Sequence, residues 1–245
     1  MTEAIKTLSL TKKYGDKTVV NSLDLTVRKG ELFSLLGVNG AGKTTTIKML
    51  SCLTMPTSGD ALLLGDSIIS DAAKVKAKTN VSPQETAVAR NLSVYENLVF
   101  AAGIYGFGVE ESKLRAEKMI TDFALEDVRK SKAKTLSGGY ARKLSIAMAL
   151  TSDPEILFLD EPTLGLDVIA RRKLWDIITA LKGKVTVILT THYMEEAEAL
   201  SDRIGIMAGG RLCAVGTADE LISLSGAKNF EEAFIAIATE KEASV

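Results

Sequence analysis

Gly37-Val38-Asn39-Gly40-Ala41-Gly42-Lys43-Thr44 fits the spacing Gly-x-x-x-x-Gly-Lys-Thr, which lets a chain fold its own backbone around an anion. The glycines allow N–H groups to converge on phosphate oxygens, a helix N-terminus adds its positive dipole end, and the lysine reaches the outer phosphates. Thr44 supplies a hydroxyl suited to magnesium. The plain alternative is a glycine-rich turn with a surface lysine. Against it stands the flanking pattern: residues 31–36 read as a short buried strand and residues 45–50 as the first turns of a helix.

Further along, Asp160 and Glu161 follow the apolar run Ile156-Leu157-Phe158-Leu159. Packing does not explain two carboxylates leaving a buried strand, because each is costly to bury unpaired. Beside a phosphate cradle, Asp160 reads as the residue that holds magnesium, directly or through water. Glu161 reads as the group that takes a proton from an attacking water. His192 is the only histidine. It follows the strand pattern of residues 185–190, and so stands where open α/β sheets bind ligands.

Three other positions stay open on residue type alone. Gln84 ends a strand pattern broken by Pro83, as a solvated loop residue or a site residue. Ser137-Gly138-Gly139 opens a helix, as a simple N-cap or as a second phosphate cradle. Tyr14 is either a packing residue at a strand end or a ring stacked on a nucleotide base.

The elements that must carry these residues are legible from period and punctuation. Residues 5–10 and 18–27 predict two antiparallel strands joined at Tyr14-Gly15-Asp16-Lys17. Pro56-Thr57-Ser58-Gly59-Asp60 predicts a turn, and residues 61–65 a short strand. From 93 to 152 the period is helical, with Leu114, Met119, Ile120 and Phe123 on one face and Leu144, Met148 and Thr151 on another. Residues 156–159 predict a parallel strand, 170–181 an amphipathic helix, and 203–207 with 211–215 a hairpin about Ala208-Gly209-Gly210. Two short helices, 218–224 and 230–238, precede an end expected to fray.

Bulk properties narrow the class. The chain has 245 residues and a formal net charge of −1, ample for a core and without the footprint of a nucleic-acid binder. Cys52 and Cys213 are expected as buried free thiols in a reducing compartment. No leader is expected, since residues 1–6 lack an apolar stretch behind a basic start. The longest uncharged run, 97–109, falls short of the roughly 18 apolar residues that span a bilayer. Direct membrane insertion is therefore not expected. Leu98, Phe100, Tyr105 and Phe107 in that run suit either the core of a helical subdomain or the docking of a partner helix.

Taken in order, the loop at Gly37, Gln84 after Pro83, Leu136-Ser137-Gly138-Gly139-Tyr140, residues 156–161, Leu164-Gly165-Leu166-Asp167 and His192 resemble the ATP-binding cassette family of transport ATPases. The resemblance implies an α/β, RecA-like P-loop NTPase fold with a mostly parallel core sheet, a small antiparallel N-terminal sheet and a helical subdomain. It implies a nucleotide-binding domain over 1–220, with core 1–85 and 153–220, helical subdomain 86–152, and a helical tail 221–245. ATP and Mg2+ are the implied ligands. Tyr14 would stack on adenine, Gly37 through Thr45 would hold phosphates, and Thr44, Gln84 and Asp160 would attend magnesium. Glu161 would be the catalytic base, His192 would reach the γ-phosphate, and Asp167 would communicate across a dimer. Ser137, Gly138 and Gly139 would close over ATP held by a second subunit, homo- or heterodimeric. Tyr140 departs from the family pattern, which commonly has glutamine there.

A cassette of this kind resembles bacterial exporter subunits that serve a separate membrane permease from the cytoplasmic face. The rivals are a non-transport cassette ATPase acting on nucleic acid or ribosomes, and a regulatory cassette that binds without hydrolysis. Neither has its own signal here: there are no basic patches or tandem repeat, and both Glu161 and His192 are present.

Overall fold

The computed structural model describes residues 2–242. The stretch expected as one strand over 18–27 divides into β2 (Lys17–Leu23) and β3 (Thr26–Arg28), both antiparallel to β1 (Glu3–Tyr14). Side chains cause the break. Thr7 Oγ1 donates to Leu23 O and accepts from Leu25 N, each at 2.7 Å, and Asp24 Oδ1 accepts from Ser9 N at 2.6 Å. Those bonds replace the ladder that a continuous strand would need.

The buried strand β4 (Leu32–Leu36) leads into α1 (Lys43–Leu50). Next come β5 (Ser58–Leu63) and β6 (Asp66–Ser67). Ser58-Gly59-Asp60 thus belongs to a strand, contrary to the expected turn. Gly59 is the reason: its φ is +77°, and a Cβ there would lie 2.3 Å from Ser9 O. Only glycine lets β5 close onto β1 at this irregularity.

The chain continues through α2 (Ala72–Lys78) and β7 (Thr79–Ser82) into a helical stretch of α3 (Val94–Ile104), α4 (Val109–Asp122) and α5 (Gly138–Leu150). Ser93 starts α3 with a reciprocal cap to Glu96. Met119, Ile120 and Phe123 of the expected face are buried, whereas Leu114 is exposed, one turn too far toward solvent. Then follow β8 (Ile156–Asp160), α6 (Val168–Thr179), β9 (Thr186–Thr191), α7 (Met194–Leu200), β10 (Arg203–Ala208) and β11 (Arg211–Gly216). Last are α8 (Ala218–Ser225) and α9 (Phe230–Glu242). The final helix outruns the expected 230–238, and residues 243–245, where fraying was expected, lie outside the described residues.

Two sheets result. A six-stranded sheet has the order β11-β10-β4-β9-β8-β7, parallel throughout except for β11. The five-stranded antiparallel sheet runs β2-β1-β5-β6, with β3 pairing β1 beyond β2, on the edge away from β5. In the middle of the parallel sheet β4, β9 and β8 are wholly buried. Each large apolar side chain so covered contributes about 1.5–3 kcal/mol, enough to hold polar strand ends in fixed register.

Three apolar clusters pack these layers. One joins the antiparallel sheet to α1 and β4, and another joins α3–α6 to the opposite side of the parallel sheet. The last seats Phe230 and Ile237 of α9 with Leu36, Ala197 and Ile206. The two sheets also meet at Val19. A Cβ on Gly42 or Gly210 would come within 2.7 or 2.6 Å of its carbonyl oxygen, and Asn21 N donates to Gly210 O at 2.8 Å. Cys52 lies just past the end of α1, and it and Cys213 are half-buried rather than buried as expected.

Candidate functional site

At the C-terminal ends of β4, β8 and β9 the sheet delivers the loop preceding α1, the Asp160-Glu161 pair and His192 to one place. A cleft of about 410 Å³ opens there, lined among others by Asn39, Gly40, Ala41, Gly42, Lys43, Thr44 and Thr45, with Gln84, Glu161 and His192 on its far side. Gly40 and Gly42 have φ of +85° and +101°, so the loop takes a path closed to side chains. Gly37 is required for another reason: a Cβ there would lie 2.4 Å from Met207 O. Val38 is exposed and outside the cleft lining, its carbonyl turned inward to Lys43.

Lys43 is only 5% exposed. Its ammonium donates to Gly37 O at 2.7 Å and Val38 O at 3.2 Å, and stands 3.7 Å from Glu161 Oε1. Burial draws its pKa below the ordinary value, while the charges of Glu161 and Asp160 oppose that. An ammonium held by its own loop carbonyls is already desolvated and aimed at the cradle.

Asp160 is the last residue of β8, and its Oδ1 accepts from Thr44 Oγ1 at 3.0 Å and from Thr190 Oγ1 at 2.6 Å. Thr190 also accepts from Glu161 N at 3.1 Å. One threonine on β9 therefore fixes both members of the acidic pair. Glu161 itself has φ of +46°, a strained left-handed conformation for a residue with a side chain, worth about 1–3 kcal/mol. The turn it makes brings Oε2 to 3.3 Å from His192 Nδ1, a pairing too poorly aligned for a hydrogen bond. The result is a carboxylate between an ammonium and an imidazole at the edge of a phosphate-sized hollow.

A magnesium ion fits the donor set. Thr44 hydroxyl and Asp160 carboxylate already touch, and the amide of Gln84 faces the same cleft; all offer the hard oxygen ligands that Mg2+ prefers. Among the described residues no group of three or more His, Cys, Asp or Glu converges. Such a site depends on phosphate oxygens to complete the shell.

Other residues fall apart from this cleft. Ser137 caps α5, accepting from Tyr140 N at 3.5 Å, and with Gly139 lines a separate hollow beside Asp167, Ile169, Lys143 and Lys173. Gly138 sits between Ser137 and Gly139 at the exposed tip of α5. Asp167 is the N-cap of α6, accepting from Ala170 N at 2.9 Å. Tyr14 does not line the cleft; half-exposed on the β1–β2 turn, with Lys12 over its ring at 5.0 Å, it is no core residue either. Of the run over 97–109, Leu98 is core, while Phe100, Ile104 and Tyr105 are exposed.

Sequence reasoning passed over Thr190 and Arg142. A hydroxyl within the apolar run of β9 was the available signal for the first. Arg142 of α5 is 5% exposed and donates from Nη1 to Pro83 O at 2.7 Å and from Nη2 to Gln84 O. Its spacing from Ser137 carries no sign of that bridge.

The family model described as ABC transporter matches residues 20–164. The chain is 42% identical over 226 residues to the daunorubicin/doxorubicin resistance ATP-binding protein DrrA of Streptomyces peucetius, covering 92% of this chain and 68% of that one. To the linearmycin resistance ATP-binding protein LnrL of Bacillus subtilis it is 42% identical over 219 residues, covering 89% and 70%. Among solved structures it is similar to a dimeric ATP-binding cassette in a post-hydrolysis state bound to ADP and Pi, at 25% identity and a TM-score of 0.78, over 87% of this chain and 98% of that one. With the P-loop fold and the cleft described above, these matches show that the chain belongs to the ABC transporter family, as one of its ATPase cassettes.

Proposed function

We propose that two copies of this chain, or this chain and a close relative, pair head to tail around ATP and drive a separate membrane permease that exports drugs or lipids. The observation that carries the reading is the separation of two half-sites. Lys43, Glu161 and His192 share one cleft, whereas Ser137, Gly138 and Gly139 project beside another hollow on the same molecule. A helix tip that cannot serve its own cradle is free to serve a partner's. Val168 and Ile169, each 70% exposed next to Asp167, offer apolar contact for that partner.

Within the closed pair, Lys43 turns from its loop carbonyls to the terminal phosphate, and the backbone of Gly37 through Thr45 cradles the rest. Tyr14 stacks on the base. Thr44, Asp160 and Gln84 would hold Mg2+, which would supply positive charge against the phosphates. Glu161 takes the proton of the attacking water, and His192 steadies Glu161 and the γ-phosphate. Ser137 and the following glycines close over the phosphates from the other subunit.

We also assign the organisation to a nucleotide-binding unit over 1–220, with helices 86–152 as its helical subdomain and 221–245 as a tail. No helix among the described residues is long and apolar enough to cross a membrane, so a permease partner supplies the membrane contact. Phe100, Ile104 and Tyr105 form the exposed apolar face for it on the cytoplasmic side.

The test uses the full chain co-expressed with its candidate permease. Tyr105→Cys is expected to cross-link to the permease, and the chain to fractionate with membranes only when the permease is present. Fractionation independent of any membrane protein, with no adduct in any nucleotide state, overturns the transport reading.

A further inference from the structure

Glu196 of α7 is fully buried, at 0% exposure, though it lines no part of the phosphate cleft. A carboxyl in such a place needs partners. Its Oε1 accepts from Trp175 Nε1 of α6 at 3.1 Å. Beside it stand the hydroxyls of Thr163 and Thr191, themselves 0% and 1% exposed.

Thr191 Oγ1 accepts from Tyr193 N at 3.0 Å, which leaves its proton for Glu196. His192 is the residue enclosed by that small ring. Thr163 follows Glu161 by one proline, in the turn where Leu164 N donates to Glu161 O at 3.2 Å. Thr163 Oγ1 and Glu196 Oε2 both lack a hydrogen-bond partner. Burial raises the carboxyl above the ordinary range, against the opposing pull of Trp175, Arg171 and the neighbouring hydroxyls of Thr191 and Thr163. The protonated form thereby favoured has an O–H to give to Thr163.

We propose that Glu196 is a positioning residue for ATP hydrolysis, gathering Thr163, Thr191 and Trp175 about one buried carboxyl so that the turns bearing Glu161 and His192 keep a fixed relation. The proposal rests on the roles assigned above to Glu161 and His192. What it maintains is the 3.3 Å approach of His192 Nδ1 to Glu161 Oε2.

The experiment measures steady-state phosphate release and the KM for Mg-ATP of the full chain. Glu196→Leu is expected to lower kcat about tenfold or more while KM changes less than about twofold. Glu196→Gln keeps an acceptor for Trp175 and a donor for Thr163, and is expected to retain at least about half of kcat. Over the residual turnover of His192→Ala, adding Glu196→Leu is expected to cost less than about twofold more, because the route through His192 is already gone. An equal loss in both backgrounds means general destabilisation and overturns the proposal. So does unchanged kcat in Glu196→Leu when His192→Ala is impaired.

Full activity in His192→Ala itself instead refutes the His192 assignment beneath it, a distinct result. Should Glu196→Leu not fold, Thr191→Val removes only the hydroxyl. It is expected to lower kcat at constant KM, and an unaltered kcat there also overturns the proposal.

Discussion

Thr190 Oγ1 donates to Asp160 Oδ1 at 2.6 Å from within a fully buried strand. Because the same oxygen accepts from Glu161 N, the neighbouring strand holds both the Asp160 carboxylate and the backbone that carries Glu161. Thr190→Val keeps the volume and deletes the bond. A hydrogen bond to a charged group contributes about 1.5–3 kcal/mol, so ATP turnover is expected to fall about tenfold to a hundredfold. The magnesium concentration for half-maximal phosphate release is expected to rise in parallel. Unchanged magnesium dependence would show that Asp160 is held well enough by Thr44 alone.

Glu161→Gln retains the shape of the side chain and removes its ability to accept a proton. ATP binding is expected to persist while turnover drops at least about a hundredfold, leaving a stable ATP-bound dimer. Size-exclusion chromatography with Mg-ATP reads the dimer and a phosphate-release assay reads the chemistry. Near-normal turnover in this variant excludes Glu161 as the base.

Arg142→Met removes the two donors that pin Pro83 O and Gln84 O and keeps much of the apolar stem. The carbonyls lose charge-assisted partners, with an expected stability cost of about 2–4 kcal/mol. Hydrogen–deuterium exchange over residues 83–88 is expected to quicken while the strand amides of β8 stay protected. Uniform acceleration across the protein would indicate a global effect in place of a local one.

The raised pKa of Glu196 gives a pH signature in stability. Its carboxyl binds a proton more tightly folded than unfolded, so its contribution is full below the ordinary value of 4.5. As pH climbs toward the raised folded value that contribution is lost. Arg171 on α6 and Arg142 on α5 are the charges facing it, joined by Trp175, Thr163 and Thr191. Glu196→Gln does not titrate, so thermal melts are expected to show it gaining on the parent protein from pH 5 to pH 8. A constant gap across that range refutes burial of the acid.

Much of this site could be read from residue order because its parts are local. A phosphate loop is one contiguous segment whose glycines serve backbone conformation, and Asp160, Glu161 and His192 each end an apolar run that parallel strands need. The sheet then brings β4, β9 and β8 side by side, as expected of such runs. What stayed hidden depends on distance across the fold. Thr190 looks like one more β-branched strand residue until β8 is placed beside it, and Arg142 looks like a surface cation until Pro83 and Gln84 are found under it. Gly59 reads as a turn residue in sequence because nothing there announces that Ser9 O will crowd its α-carbon. Leu114 follows the helical period and still faces solvent, since period fixes a face but not how far the neighbouring helix covers it.

Val19, clasped between Gly42 and Gly210, has a mechanical consequence. The hairpin bearing Tyr14 lies directly against the loop bearing Lys43 at that carbonyl, with no room between them for a side chain. Any side chain in place of Gly42 or Gly210 would therefore drive a wedge between the two sheets at the edge of the phosphate cleft.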